Sequence, residues 1–175
     1  MDNLEEGHYG LPPGVILPAG DRIDPSTVTV LSWLPPNMVT RSTLAAEATR
    51  KKWADHHGYG FKAMSTLDVN VTNHAIKAFA VGEALLGIEE GHWLLWMDAD
   101  VIITNRSVAL HPLFPIRGHF VVTEPSTNHI NTGVFAVRRT AIGARAVRRW
   151  QDHVTRHDWA EQELFVSSIV EEECD

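Results

Sequence analysis

Apolar positions along this chain come in short runs whose spacing switches between a period of two and a period near 3.6. Thr27 to Trp33 alternates β-branched and apolar residues, which predicts a first core strand. Pro35-Pro36-Asn37 ends it and opens a loop. A helix is predicted from about Thr43 to His57, with Gly58 where a C-terminal cap belongs, and Gly60 to Met64 reads as a second strand. Asn73 is placed to cap another helix, in which Ile76, Phe79, Ala80 and Ala84 form an apolar stripe and Gly87 marks the end. The uninterrupted run Trp93-Leu94-Leu95-Trp96-Met97 is too short for an ordinary helix and predicts a strand buried on both faces.

Phe120-Val121-Val122 and Val134-Phe135-Ala136-Val137 read as two more strands, separated by the polar stretch from Thr123 to Asn131. A helix follows from Thr140 to about His153. Asp158-Trp159-Ala160-Glu161 then resembles a capping box opening a last helix, with Gln162 and Glu163 in its first turn. Alternation of strands and helices predicts a layered α/β domain with a mostly parallel central sheet flanked by helices. That domain is expected over residues 27–175. Residues 1–26, with Pro12, Pro13, Pro18 and Pro25 among Gly7, Gly10, Gly14 and Gly20, are expected to form an irregular N-terminal arm.

Composition narrows the function classes. A chain of 175 residues, 44% hydrophobic and 21% charged, is large enough for a genuine core. A formal charge of -7 argues against a nucleic-acid partner, whose footprint would be basic. The arginines from Arg138-Arg139 to Arg148-Arg149 read as the solvated face of a helix. A single cysteine, Cys174, excludes an internal disulfide framework and a multi-cysteine metal site. No stretch has the length and apolarity of a transmembrane segment, and the acidic start Met1-Asp2-Asn3-Leu4-Glu5-Glu6 is unlike a signal peptide, so a cytoplasmic location is expected. The triplets Asn70-Val71-Thr72 and Asn105-Arg106-Ser107 match glycosylation sequons, which matter only in a secreted protein.

The chemistry concentrates at Asp98 and Asp100, which directly follow the five-residue apolar run. Side chains two apart on a strand point the same way, so both carboxylates are expected to emerge together at the carboxyl end of a strand, where open α/β sheets bind ligands. An Asp-x-Asp by itself is more readily a strand-ending turn. Ionised acids this near a core need a partner, however, and the basic residues nearest in sequence are Lys77 and Arg106. A divalent cation is the expected neutraliser, and two carboxylates suit Mn²⁺ or Mg²⁺ better than zinc. Just before a later strand stands Asn131-Thr132-Gly133, where glycine permits close approach of a ligand or backbone and Asn131 offers a donor and an acceptor.

Five pieces then occur in order: His56-His57-Gly58-Tyr59, the run from Trp93 to Asp100, Ile103-Thr104-Asn105, the passage from Thr123-Glu124-Pro125 to Asn131-Thr132-Gly133-Val134-Phe135, and Trp159-Ala160-Glu161-Gln162. Together they resemble the galactosyl- and xylosyltransferase family of plants and fungi, which adopts the GT-A fold. The resemblance spans roughly Thr27 to Val170. It implies transfer of a hexose or pentose from a nucleotide-diphosphate sugar, a UDP- or GDP-sugar, to an acceptor it does not identify, with retention at the anomeric carbon. It places Mn²⁺ or Mg²⁺ on Asp98 and Asp100, and Asn131, Gly133, Lys77 and Ser32 around the donor. Gln162 and Glu161 then approach the reacting sugar.

One departure stands out. Family members supply a further metal-binding histidine beyond the Glu-Gln helix, and this sequence has none after His157. Water, His129 or a neighbouring chain are the candidates for that ligand. Two other readings remain open: a catalytically weak sugar-nucleotide-binding module, and a phosphatase of the haloacid dehalogenase type with Asp98 as nucleophile and Asp100 as general acid. The phosphatase needs additional acids downstream, where only Asp152, Asp158 and Asp175 occur among aspartates, none of them paired.

Overall fold

The computed structural model describes residues 22–69, 71, 75–123, 130–156 and 161–174. Within them, five strands form one open sheet: β1 (Val28–Trp33), β2 (Gly60–Met64), β3 (Trp93–Met97), β4 (Phe120–Thr123) and β5 (Asn131–Arg138), in the order β2-β1-β3-β5-β4. The four helices are α1 (Arg41–His57), α2 (Ile76–Leu86), α3 (Ala141–Arg156) and α4 (Glu161–Cys174). β1 pairs in parallel with both β2 and β3, whereas β5 runs antiparallel to β3 and β4. Four strands therefore share a direction and β5 opposes them, which agrees with the expected mostly parallel sheet.

Alternation along the strands divides the core between the two faces. Leu31, Trp33, Leu94, Trp96, Phe135 and Val137 pack with α2, α3 and α4, while Val28, Val30, Trp93, Leu95, Met97 and Ala136 pack with α1, Tyr59 and Phe114. All five residues of β3 are buried, as the unbroken apolar run requires of a central strand covered on both sides. On the first face, Phe135, Trp150 and Phe165 meet with ring centroids 4.6 to 5.9 Å apart, edge-on or tilted. Such geometry suits the aromatic quadrupoles and fastens α4 to the sheet.

Local chemistry sets the element ends. α1 starts at Arg41 because Thr40 and Thr43 cap it reciprocally: the Thr43 N–H donates to Thr40 Oγ1 at 3.2 Å and the Thr40 N–H to Thr43 Oγ1 at 2.9 Å. It stops at Gly58, whose left-handed backbone (φ 74°) lets its N–H close onto the last turn. β5 begins at Asn131, earlier than the apolar run suggests, since Thr123 Oγ1 donates to the carbonyls of Asn131 and Val134 beside a bulge at Val122/Thr123. The expected caps at Asn73 and Asp158, and the arm as far as residue 21, lie outside the described residues. On α3, Gly143, Ala146, Val147, Trp150 and Val154 are buried while Arg145 and Arg148 are exposed, as expected; Arg138 instead ends β5, half-buried, and donates to the carbonyls of Gly91 and Ile116. Among the described residues no helix is long and apolar enough to cross a membrane.

Gly143 gives the first expected outcome. A Cβ there would stand 2.2 Å from the carbonyl oxygen of Arg138, a backbone atom that cannot swing aside. Gly143→Ala should therefore cost about 2–3 kcal/mol despite alanine's better helix propensity. Thermal melting should register a fall of roughly 5–10 °C, and an unchanged midpoint would contradict the close packing of α3 on β5.

Candidate functional site

The parallel strands β1, β2 and β3 all end at one edge of the sheet, and because β5 opposes them, its first residues arrive at the same edge. A cavity of about 650 Å³ opens there, lined by segments that follow each strand. Trp33 ends β1 and Pro35, Asn37 and Met38 follow it, Ser65 to Leu67 follow β2, and Trp96 of β3 is followed by Asp98 to Asp100. Ile76 and Lys77, from the first turn of α2, complete the wall. Both aspartates border this one cavity, at the strand ends where such sheets bind ligands.

They do so by a turn and not by strand alternation. β3 ends at Met97, and the N–H of Val101 donates to the Asp98 carbonyl at 3.1 Å, folding Asp98-Ala99-Asp100 back on itself. Arg50 holds that turn from beneath. Its Nη1 donates to the carbonyls of Asp98 (2.9 Å), Ala99 (2.9 Å) and Val101 (2.8 Å), and its Nη2 donates to Ser32 Oγ at 3.0 Å. The Arg50 side chain is wholly buried, and its Nε has no hydrogen-bond partner among the described residues. Burial pulls the guanidinium's pKa down, while Glu47, Asp100 and Asp98 pull it back up. An arginine retains its proton even so, and its positive charge lies under the two carboxylates.

Asp98 is also paired from the side. Its Oδ1 accepts from Trp96 Nε1 at 2.7 Å and lies 3.1 Å from Lys77 Nζ. Trp96 stands two residues earlier, in β3, close enough for its indole to reach the carboxylate at the start of the turn. Lys77 Nζ further donates to the carbonyl and hydroxyl oxygens of Thr132, each at 3.2 Å. These contacts give Asp98 a counterion from the protein itself, beside the bound cation expected for the pair. Lys77 is 21 positions away in sequence but adjacent in space, and Arg50, at 48, supports the turn. Asp100 is exposed, and its carboxylate makes no hydrogen bond or ion pair among the described residues.

The other candidates are sorted by the fold. Ser32 is completely buried, spends its hydroxyl on Arg50 and does not line the cavity. Asn131 is exposed, and its Oδ1 accepts from the Gly133 N–H at 2.7 Å. Gly133 lies against Asp98: a Cβ there would stand 3.3 Å from Asp98 Oδ2 and 2.7 Å from Asn131 Oδ1. The Asp98 N–H also donates to the Gly133 carbonyl at 2.9 Å. Gln162 Oε1 accepts from the Thr132 N–H at 3.3 Å, which ties the first turn of α4 to the residue that holds Lys77. Asn131 and Gly133 thus stand near Asp98 and Gln162 stands at Thr132, none of them lining the cavity, and nothing is described of the Glu161 side chain. His129 lies outside the described residues, and Asp152 is exposed on α3, away from the cavity.

The donor set suits a hard divalent cation that shares its coordination with a ligand. Such ions commonly use one or two carboxylates and complete their shell with water and substrate phosphates. Asp98 Oδ2 and both oxygens of Asp100 are engaged by no donor among the described residues. Among those residues, no group of three or more His, Cys, Asp or Glu is placed to cage a metal without help.

Arg50, Trp96 and Thr132 were not singled out by the sequence reading. For Arg50 a signal existed: Ala46, Arg50, Trp53 and Ala54 are the buried residues of α1, so the arginine occupies the apolar stripe of its helix at positions i, i+4, i+7 and i+8. A charge on that stripe marks a buried group that needs acceptors.

No protein-family model matches the sequence, and no curated protein matches it. Among solved structures, the chain is similar to the crystal structure of a glycosyltransferase involved in the glycosylation of the major capsid of PBCV-1. The identity is 19% and the TM-score 0.60, and the match covers 78% of this chain and 72% of that one. The likeness is one of fold, an open α/β sheet flanked by helices that this chain shares with a glycosyltransferase.

Proposed function

We propose that this protein is a metal-dependent glycosyltransferase of GT-A type that moves a hexose or pentose from a nucleotide-diphosphate sugar to an acceptor, with retention. The observation that carries the reading is the meeting of Asp98, Asp100 and Lys77 at one cavity on the carboxyl edge of the sheet. Its volume, about 650 Å³, is within the range of cavities that take ligands of this size. The shared fold with a glycosyltransferase supports the same reading.

In this proposal Asp98 and Asp100 hold Mn²⁺ or Mg²⁺, which supplies Lewis-acid neutralisation of the departing diphosphate. The chain's own residues do the rest. Lys77, on the cavity wall, meets phosphate oxygens as a point charge. Arg50 keeps the acid-bearing turn from moving as charge shifts, so that the field at the reacting bond is set in advance. Gln162, anchored on Thr132, and its neighbour Glu161 are the side chains proposed to stand by the developing positive charge of the sugar.

The test combines binding with turnover. Mn²⁺ together with UDP or GDP, at about a hundred times Kd, should stabilise the native state by roughly 2.7 kcal/mol. That corresponds to a rise in melting temperature of about 5–10 °C. Slow release of free sugar from the matching UDP- or GDP-sugar should accompany it. Binding with no consumption of any donor would favour the catalytically weak module, and hydrolysis of a generic phosphomonoester without any response to nucleotides would favour a phosphatase using Asp98.

A further inference from the structure

Lys77 holds Oδ1 of the carboxylate whose other oxygen, Oδ2, is engaged by no donor among the described residues and is offered to the proposed cation. Its ammonium lies among the Oδ1 of Asp98 (3.1 Å) and the carbonyl and hydroxyl oxygens of Thr132 (3.2 Å each), 5.7 Å from the centroid of the Trp96 ring. The Lys77 side chain is only 15% exposed. Among the described residues, three oxygens and an aromatic face stand around this sheltered ammonium, and one of those oxygens belongs to a proposed metal ligand. A monovalent and a divalent cation sharing one carboxylate repel each other strongly where water screens them poorly.

We infer that Lys77 is the resident counterion of Asp98 and exchanges with the divalent cation, moving from the carboxylate to the phosphate oxygens when a nucleoside diphosphate enters. The inference rests on the proposed function. It makes metal and nucleotide binding mutually dependent, because the diphosphate offers its oxygens to the ammonium that the metal repels. Trp96 Nε1, bonded to the same Oδ1 at 2.7 Å, keeps the carboxylate oriented during the exchange. A compact ammonium on a flexible stem is suited to such a move, since it holds no fixed bidentate geometry.

The prediction is a pair of opposite effects in one variant. Lys77→Met removes the charge and keeps most of the stem. Titration of Mn²⁺ alone, followed by electron paramagnetic resonance of the free ion, should show affinity raised about tenfold, because the repelling charge is gone. At saturating Mn²⁺, the affinity of that variant for UDP or GDP should fall about tenfold, since one charge-assisted bond to phosphate is lost. Lys77→Arg should show neither large gain nor large loss. A lysine that only braces the turn would lower both affinities together in Lys77→Met. That result, or unchanged Mn²⁺ binding, overturns the exchange while Mn²⁺-dependent nucleotide binding by the wild type leaves the proposed function standing. Absence of Mn²⁺ binding by the wild type, with either nucleotide present, overturns both.

Discussion

Asp100→Asn should abolish Mn²⁺-dependent binding of UDP or GDP and leave the melting temperature within about 2 °C of the wild type. The asymmetry follows from its surroundings. Asp100 is exposed and makes no hydrogen bond or ion pair among the described residues, so folding loses little when its charge is removed. A hard divalent ion binds ionised oxygens, and an amide in place of one of two carboxylates removes half the protein charge offered to it. Asp98→Asn should have the same effect on binding at a somewhat greater cost in stability. Its carboxylate accepts from Trp96 and pairs with Lys77, and a partly exposed pair of this kind contributes about 1 kcal/mol or less. Calorimetry with nucleotide, with and without Mn²⁺, measures both variants. Retained metal-dependent binding in both would show that the acids end a strand and do nothing more.

Arg50→Met should unfold the site along with part of the domain's stability. The guanidinium is wholly buried and donates to three backbone carbonyls and the Ser32 hydroxyl. A methionine of similar length fills the space but donates nothing. Each buried acceptor left without a donor costs about 1–3 kcal/mol, moderated by rearrangement and by water entering from the cavity. A loss on the order of 3–5 kcal/mol is expected, and urea titration measures it. Arg50→Lys should recover only part, because a single ammonium cannot reproduce the fork that spans the carbonyls of Asp98, Ala99 and Val101. Mn²⁺-dependent nucleotide affinity should fall in the lysine variant even where it remains folded, since the turn bearing Asp98 and Asp100 is then less firmly held. Wild-type stability and affinity in Arg50→Met would remove Arg50 from any role in positioning the acids.

These two expectations differ in how visible their causes are along the chain. Asp98 and Asp100 stand out because five apolar residues precede them and a polar pair cannot continue that burial. β2 and β3 occupy the residues their runs indicate, and Gly58 caps α1 as its position suggests. The partners of the acids were hidden for a different reason. Arg50 lies 48 residues from Asp98, and Lys77 lies 55 from Thr132. Which of several basic residues approaches an acid across such distances is settled by how helices pack on the sheet. The same holds for Ser32, which looks available at the end of β1 but is claimed by Arg50 from the face where α1 packs.

By itself the sequence determined the elements and one chemical landmark, because strand alternation, helical stripes, caps and turn residues act over a few positions and leave their marks there. Tertiary structure decided the strand order β2-β1-β3-β5-β4 and the opposed direction of β5. Through that reversal Thr132 and Gly133 came to Asp98, and through helix packing Lys77 and Arg50 did. Those choices rest on long-range burial and on the need of each buried charge for a partner, so they were fixed only when the two faces of the sheet were covered.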